Sequence, residues 1–247
     1  MNQIERQEYL INYLLEENSM LGGITVPSDS SAQKELLKTL FALREPSGAP
    51  IDFIAIQNEY LKNAIDSTVI ETEGRFTLTE VSPVSIKADA LVHFGNSSIL
   101  GSFTPGDDSL DSEIFFHAGI ELRLSAADAT QKDRGLLKSG GIRITPAFCL
   151  PYENIIHAVG PEIKREVLDK DREDLKSLIY GVLETIEELG AKTVVITPYT
   201  RRFKKFPVKE SLEIILSAIN SYPIDESVRF IIALKDSNEL KIAESLI

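Results

Sequence analysis

One stretch holds most of the residues whose types and spacing could do chemistry: Gly95 to Arg123, reading GNSSILGSFTPGDDSLDSEIFFHAGIELR. It follows a predicted strand and runs into a predicted helix whose Ile114, Ala118 and Leu122 share a face. A glycine-containing strand-to-helix loop in an α/β sheet is a common ligand crevice. Gly95, Asn96, Gly101 and Ser102 are therefore candidate ligand contacts, with Asn96 able to hydrogen-bond a polar ligand. The same residues also suit a tight connection in which Asn96 and Gly101 supply unusual backbone angles and nothing more. Asp107 and Asp108 form a carboxylate pair, fit for a hard cation such as magnesium or for plain solvation. A second candidate is the basic island of Arg201, Arg202, Lys204, Lys205 and Lys209 around Phe203. It reads either as an anion site built from side-chain charge or as a solvated loop.

Other reactive groups are few. Cys149 is the single cysteine, which excludes an internal disulfide framework and a cysteine-rich zinc site within the chain. It has no histidine nearby in sequence to activate it, and a small buried residue is the expected fate of such a cysteine. The three histidines, His93, His117 and His157, leave little for an imidazole metal site. His157 falls in a predicted buried strand, where a structural hydrogen-bonded role is expected; His117 falls within a helix beside Phe116. The chain has 26 basic and 38 acidic residues, a net charge of −12, which disfavours generic nucleic-acid binding. No apolar run approaches the ~18 residues of a membrane span. The mixed, amphipathic Met1–Asn18 is unlike a cleavable leader, so a cytoplasmic protein is expected.

The elements that must position these residues follow from periodicity. With 247 residues and ~150 per domain, one large domain or one domain plus an extension is expected. Residues 1–70 read as a helical extension, with helices near Met1–Asn18, Ser31–Leu43 and Ile51–Asn63. From about Arg75 short apolar strands alternate with helices. The strands are Phe76–Val81, Ala90–His93, Ile142–Pro146, Ile155–Val159, Thr193–Thr197 and Arg229–Leu234. The helices are Ser112–Leu122, Asp171–Leu189 with Gly190 as its C-terminal cap, Val208–Asn220, and one from Asp236 onward. Such alternation implies a layered α/β domain over residues 71–247.

The segment Asn96–Arg123, taken with ITPAFCLPYENIIHAVGP from Ile144 to Pro161, resembles the macrodomain family. More narrowly it resembles the bacterial zinc-containing protein-ADP-ribose hydrolases, whose N-terminal helical extension is similar to ERQEYLINYLLEEN here. The resemblance implies a three-layer sandwich with a central mixed sheet, preceded by that helical extension. It implies ADP-ribose or an ADP-ribosylated protein as partner.

The departures from the family are as informative as the matches. The family's NAAN loop reads His93-Phe94-Gly95-Asn96 here, and its zinc ligands correspond to Ser102, Asp107 and Ser109. Serine hydroxyls are poor zinc ligands beside thiolates, so no zinc of the family type, and no other cofactor, is expected. The adenine-contacting aspartate has no counterpart in Thr79-Glu80-Val81-Ser82. Arg202 stands where the phosphate loop has glycine, so Arg201, Arg202 and Phe203 would meet the diphosphate through side chains. Asp111 matches a family aspartate. It is a candidate general base or water-positioning group, with a helix N-cap as the favoured alternative. Three functions follow: a degenerate macrodomain that binds ADP-ribose, its protein conjugates or a related nucleotide without zinc-dependent turnover; a hydrolase with rebuilt zinc-free chemistry using Asn96 and Asp111; or an interaction scaffold whose pocket is closed by Phe94, Phe103 or Phe203.

Overall fold

The computed structural model describes residues 1–21, 23–200 and 206–247. Three helices come first: α1 (Gln3–Glu17), α2 (Ser30–Leu43) and α3 (Ile51–Ala64). The rest alternates: β1 (Phe76–Thr79), β2 (Ala90–Gly95), α4 (Leu110–Ala118), α5 (Ile120–Thr130), β3 (Ile142–Pro146), β4 (Asn154–Val159), α6 (Asp169–Leu189), β5 (Thr193–Ile196), α7 (Val208–Ser221), β6 (Arg229–Ala233) and α8 (Ser237–Glu244). Among the described residues the strands form one sheet in the order β1-β6-β5-β2-β4-β3. All neighbours pair in parallel except the edge strand β3, which runs antiparallel to β4. The sheet is therefore mixed, as expected.

Strand alternation sorts the core into two faces. Ala90 and Val92 of β2 join Ile156, Val194 and Phe230 beneath α6, α7 and α8. Leu91 joins Ile155, Val195 and Ile231 beneath α4 and α5. In α6 the stripe Leu175, Leu178, Ile179, Val182, Leu183 and Ile186 is at most 2% exposed. Each such side chain contributes about 1.5–3 kcal/mol by leaving water. Gly190 ends α6 in the left-handed region at φ 66°, the cap expected there.

Several boundaries shift by a residue or two, and three departures from expectation have a visible cause. Strand β1 stops at Thr79, whose Oγ1 accepts the Val81 N–H and starts a turn. Strand β2 runs on to Gly95 because β4 pairs with it along its full length. The helix expected over Ser112–Leu122 is two helices. Gly119 sits at φ 93°, and a Cβ there would lie 2.6 Å from Gln57 Nε2. Gln57 of α3 then accepts the Ile120 N–H at 2.9 Å, capping α5 from the extension.

The extension is joined to the α4–α5 layer by a shared apolar cluster that includes Leu10, Leu37, Leu40, Phe53, Phe116 and Ile120. Arg123 of α5 completes the joint. Its guanidinium donates to the carbonyls of Phe41, Ala42 and Arg44 at the end of α2, and to those of Leu100 and Ser102 in the loop after β2. It thus adds a donor at the helix end, where of these carbonyls Phe41 O also accepts the Arg44 N–H at 3.4 Å. Burial pulls its pKa down to about 10, against the opposing field of Asp111. No helix among the described residues is long and apolar enough to cross a membrane.

Candidate functional site

The loop from β2 to α4 brings Gly95, Asn96, Gly101 and Ser102 together, and its geometry is made locally. Asn96 Oδ1 accepts from Ser98 N at 2.9 Å, Ser98 Oγ at 2.7 Å and Ile99 N at 3.0 Å. This side-chain turn leaves the exposed Asn96 its amide nitrogen as the group to meet a ligand. Gly101 is at φ 75°, and a Cβ there would lie 2.5 Å from the Phe115 ring. A glycine is needed for the chain to pass that ring.

The positions matching the family's zinc ligands are committed to the same local work. Ser102 Oγ accepts the Thr104 N–H at 3.2 Å, and Asp107 Oδ1 accepts the Ser109 N–H at 3.0 Å. Ser109 Oγ accepts the Ser112 N–H at 3.3 Å as the N-cap of α4. Two hydroxyls and one carboxylate, each already accepting a backbone N–H, do not fit a tetrahedral zinc site. The cap favoured for Asp111 therefore belongs to Ser109. The helix begins at Leu110, earlier than its apolar stripe, and puts Asp111 inside the first turn.

Asp111 instead faces the sheet. Its Oδ1 lies 2.9 Å from His93 Nε2 of β2. Both atoms are buried, and neither has a hydrogen-bond partner, so the approach is a close polar contact between a carboxylate and an imidazole. His93 is the register partner of His157 across the parallel β2–β4 ladder. Their Nδ1 atoms are 3.2 Å apart, and His157 Nε2 lies 2.9 Å from Thr145 Oγ1 of β3. The structural hydrogen-bonded role expected for His157 is thus present. Burial, and secondarily the adjacent His93, hold its pKa well below the ordinary range, so the ring is neutral.

A different carboxylate–histidine pair occupies the outer side of α4. Glu113 Oε2 lies 3.2 Å from His117 Nε2, one turn along, and its Oε1 accepts from Lys38 of α2 at 3.0 Å. The His117 contact, reinforced by Lys38 and opposed by burial, holds the Glu113 pKa at about 2. Beside this pair a crevice of about 100 Å³ opens between α2, the 102–108 loop and α4. Cys149 is buried and donates to Asn58 Oδ1 at 3.0 Å; burial pushes its thiol up to about 12, too high for a nucleophile.

With this geometry in hand, comparison with known proteins is decisive for family. The Macro domain family model matches residues 92–215, from within β2 to within α7. The chain is also 30% identical over 238 residues to a protein-ADP-ribose hydrolase of Treponema medium, covering 90% of this chain and 89% of that one. The chain belongs to the macrodomain family. A protein-ADP-ribose hydrolase of Staphylococcus aureus (strain MSSA476) is 26% identical over 231 residues, covering 88% of this macrodomain and 85% of the relative. Among solved structures, the Trypanosoma brucei macrodomain in complex with ADP matches with a TM-score of 0.63 at 16% identity, over 86% of this chain and 95% of that one. The Oceanobacillus iheyensis macrodomain with ADP matches with a TM-score of 0.59 at 22% identity, over 73% and 90%. These two likenesses show the fold.

Of the site residues expected in the macrodomain, Gly95 ends β2, Asn96, Gly101 and Ser102 share the loop that follows it, and Asp111 stands at the start of the following helix. Arg201, Arg202 and Phe203 lie outside the described residues. Phe94 packs edge-on against Tyr199, with the cluster on the α6–α7 face. Phe103 stacks 4.2 Å from the Arg123 guanidinium. Sequence reasoning missed the Asp111–His93 contact. The available signal was two histidines on inward-facing positions of adjacent predicted strands, each needing a polar partner.

Proposed function

We propose that this macrodomain binds ADP-ribose, free or attached to protein, and does so without zinc-dependent turnover. The observation that carries the reading is the commitment of Ser102, Asp107 and Ser109 to backbone N–H groups in a loop whose ligand-facing glycines and Asn96 are kept. Similarity to protein-ADP-ribose hydrolases over 90% of the chain supports the ligand class. In this reading residues 71–247 form the binding domain and residues 1–70 its extension. Asn96 donates its amide N–H to a ribose hydroxyl, Gly95, Gly101 and Ser102 shape the loop, and Arg201, Arg202 and Phe203 meet the diphosphate.

Calorimetric titration with ADP-ribose tests it. Saturable binding is expected, unchanged by zinc or by a chelator, and weakened about tenfold by Asn96→Ala, the loss of about one hydrogen bond to the ligand. No heat at millimolar ADP-ribose with folded protein would overturn the reading and favour a scaffold with a closed pocket. Zinc-free hydrolysis is the second reading, and the Asp111–His93 contact is the observation that favours it.

A further inference from the structure

The loop that carries Asn96 does not hold its shape alone. Ile99, fully buried and β-branched, sits at φ 49°, in the left-handed region where such a side chain crowds its own backbone. A conformation of this kind costs free energy and persists only where its surroundings impose it. Part of that surrounding is local. Asn96 Oδ1 accepts the Ile99 N–H, the Leu137 N–H donates to Ser97 O at 2.7 Å, and the Ile99 side chain packs with Ala126, Leu137 and Val159. The part that follows Ile99 is Arg123. Its Nε donates to Leu100 O at 2.9 Å and its Nη2 to Ser102 O at 3.0 Å, the two carbonyls that flank Gly101.

Arg123 cannot hold the loop independently of the extension. Its third nitrogen, Nη1, donates to the carbonyls of Phe41, Ala42 and Arg44 at 3.0, 2.9 and 2.6 Å. A buried charge stripped of acceptors is expensive. If the end of α2 moves away, the guanidinium turns toward water and gives up Leu100 and Ser102. Ile99 then relaxes toward negative φ, its N–H leaves Asn96 Oδ1, and the Asn96 amide is no longer aimed. The end of α2 is itself pinned from α1. Arg44, buried, donates through Nε and Nη2 to the two oxygens of Glu17, each at 2.7 Å. A connected series of charge-assisted hydrogen bonds thus leads from Glu17 through Arg44 and Arg123 to the ligand loop.

We propose that Arg123 is a positioning residue for ADP-ribose binding: it locks the Asn96–Ser102 loop into the shape that aims Asn96, and does so only while the helical extension is docked on α5. The proposal rests on ADP-ribose being the ligand and adds a control on its affinity from within the chain. Asn96 meets the ligand; Arg123 acts through the loop, and the extension acts through Arg123. Coupling between two regions is reciprocal. A ligand that needs the locked loop therefore also tightens the extension against α5.

Two measurements on the full chain test this: the Kd for ADP-ribose, and amide hydrogen exchange with and without it. Arg123→Lys keeps a charge but loses the planar fork that spans both sets of carbonyls, and should weaken binding about tenfold or more. Glu17→Ala, on α1 and outside both the loop and α5, should weaken it about threefold. Val182→Ala, in the α6 stripe on the other face of the sheet, is the control for lost stability and should bind like wild type. In wild type, saturating ADP-ribose should slow exchange at the Arg44 N–H and the last turn of α2 about fivefold, and Arg123→Lys should abolish that slowing. A purely structural arginine would not produce this signature. Wild-type affinity in folded Arg123→Lys, slowing confined to residues 95–111, or equal weakening in Val182→Ala overturns the proposal and leaves the binding reading intact. If Arg123→Lys does not fold, wild-type affinity in Glu17→Ala overturns it. Absence of ADP-ribose binding in wild type overturns the ligand reading itself.

Discussion

Helix α4 carries Asp111 and Glu113 two residues apart, and each meets a histidine in quite different surroundings. Glu113 pairs with His117 on its own helix and with Lys38 of the extension, at the edge of a crevice and 30% exposed. Its charge is stabilised by the Lys38 ammonium as well as by the His117 contact, and the cluster staples α2 to α4. Asp111 meets His93 from the sheet, and the chain behind that histidine leads inward to two further neutral groups. The first arrangement spends a carboxylate on attachment. The second sets a carboxylate oxygen against an imidazole that is itself backed by buried polar groups of the sheet. The same two residue types thus do separable jobs because one pair lies at a seam between layers and the other beneath the strand ends.

Arg123 touches both regions, so removing it should have the largest effect. Arg123→Met removes the guanidinium from three carbonyls at the end of α2, of which Phe41 keeps the Arg44 N–H, and from two in the Leu100–Ser102 loop. A loss of about 3 kcal/mol or more is expected in urea unfolding. A loss under about 1 kcal/mol would mean that the seam and the loop are held by apolar packing alone. Next, His157→Leu should cost about 2 kcal/mol, because it strands Thr145 Oγ1 and His93 Nδ1 in an apolar layer. Adding Thr145→Val removes one of those orphans, so the double variant should be less destabilised than the sum of the two singles. Strict additivity would separate Thr145 from the chain and blunt the contrast with the Glu113 cluster.

How much of this was legible in the sequence depends on whether a feature is local. The stripe of α6 and its Gly190 cap are local, and periodicity placed them within two residues. The break at Gly119 is not: its cause is Gln57, 63 residues before the Ile120 N–H it accepts, and the apolar stripe Ile114–Ala118–Leu122 runs across the break undisturbed. The loop after β2 was legible as a loop from its glycines. Its internal economy, with Asn96 folding its own turn and Ser109 capping α4, needed the backbone path. His93 was visible merely as a departure from a family motif. Its partner across the ladder follows from strand register, and its partner on α4 follows from where that helix starts. Both are tertiary facts.

The Glu113 side of the comparison makes a pH prediction. The Glu113 folded pKa of about 2 lies below its ordinary value of 4.5. The stability it contributes is therefore fully present above pH 4.5 and is lost as pH falls toward 2. Partial exposure reduces the contribution to about 1–2 kcal/mol. Glu113→Gln should lower stability by that amount at pH 7 and flatten its decline between pH 4.5 and 2. An unchanged slope would assign the acid sensitivity to other carboxylates.

Lys38→Met should have the smallest effect, and it tests whether the staple is electrostatic. The Lys38 ammonium lies 3.0 Å from Glu113 and 5.7 Å from the centre of the Phe116 ring, on a side chain 29% exposed. Methionine keeps most of the aliphatic stem and removes the charge, so the expected loss is about 0.5 kcal/mol at low salt. In 1 M salt, where the screening length falls to about 3 Å, the difference should shrink toward zero. A loss that persists in salt would mean that Lys38 acts by covering Phe116. The seam would then be apolar throughout, and Glu113 would owe its low pKa to His117, leaving α4 with two carboxylate–histidine pairs more alike than their surroundings imply.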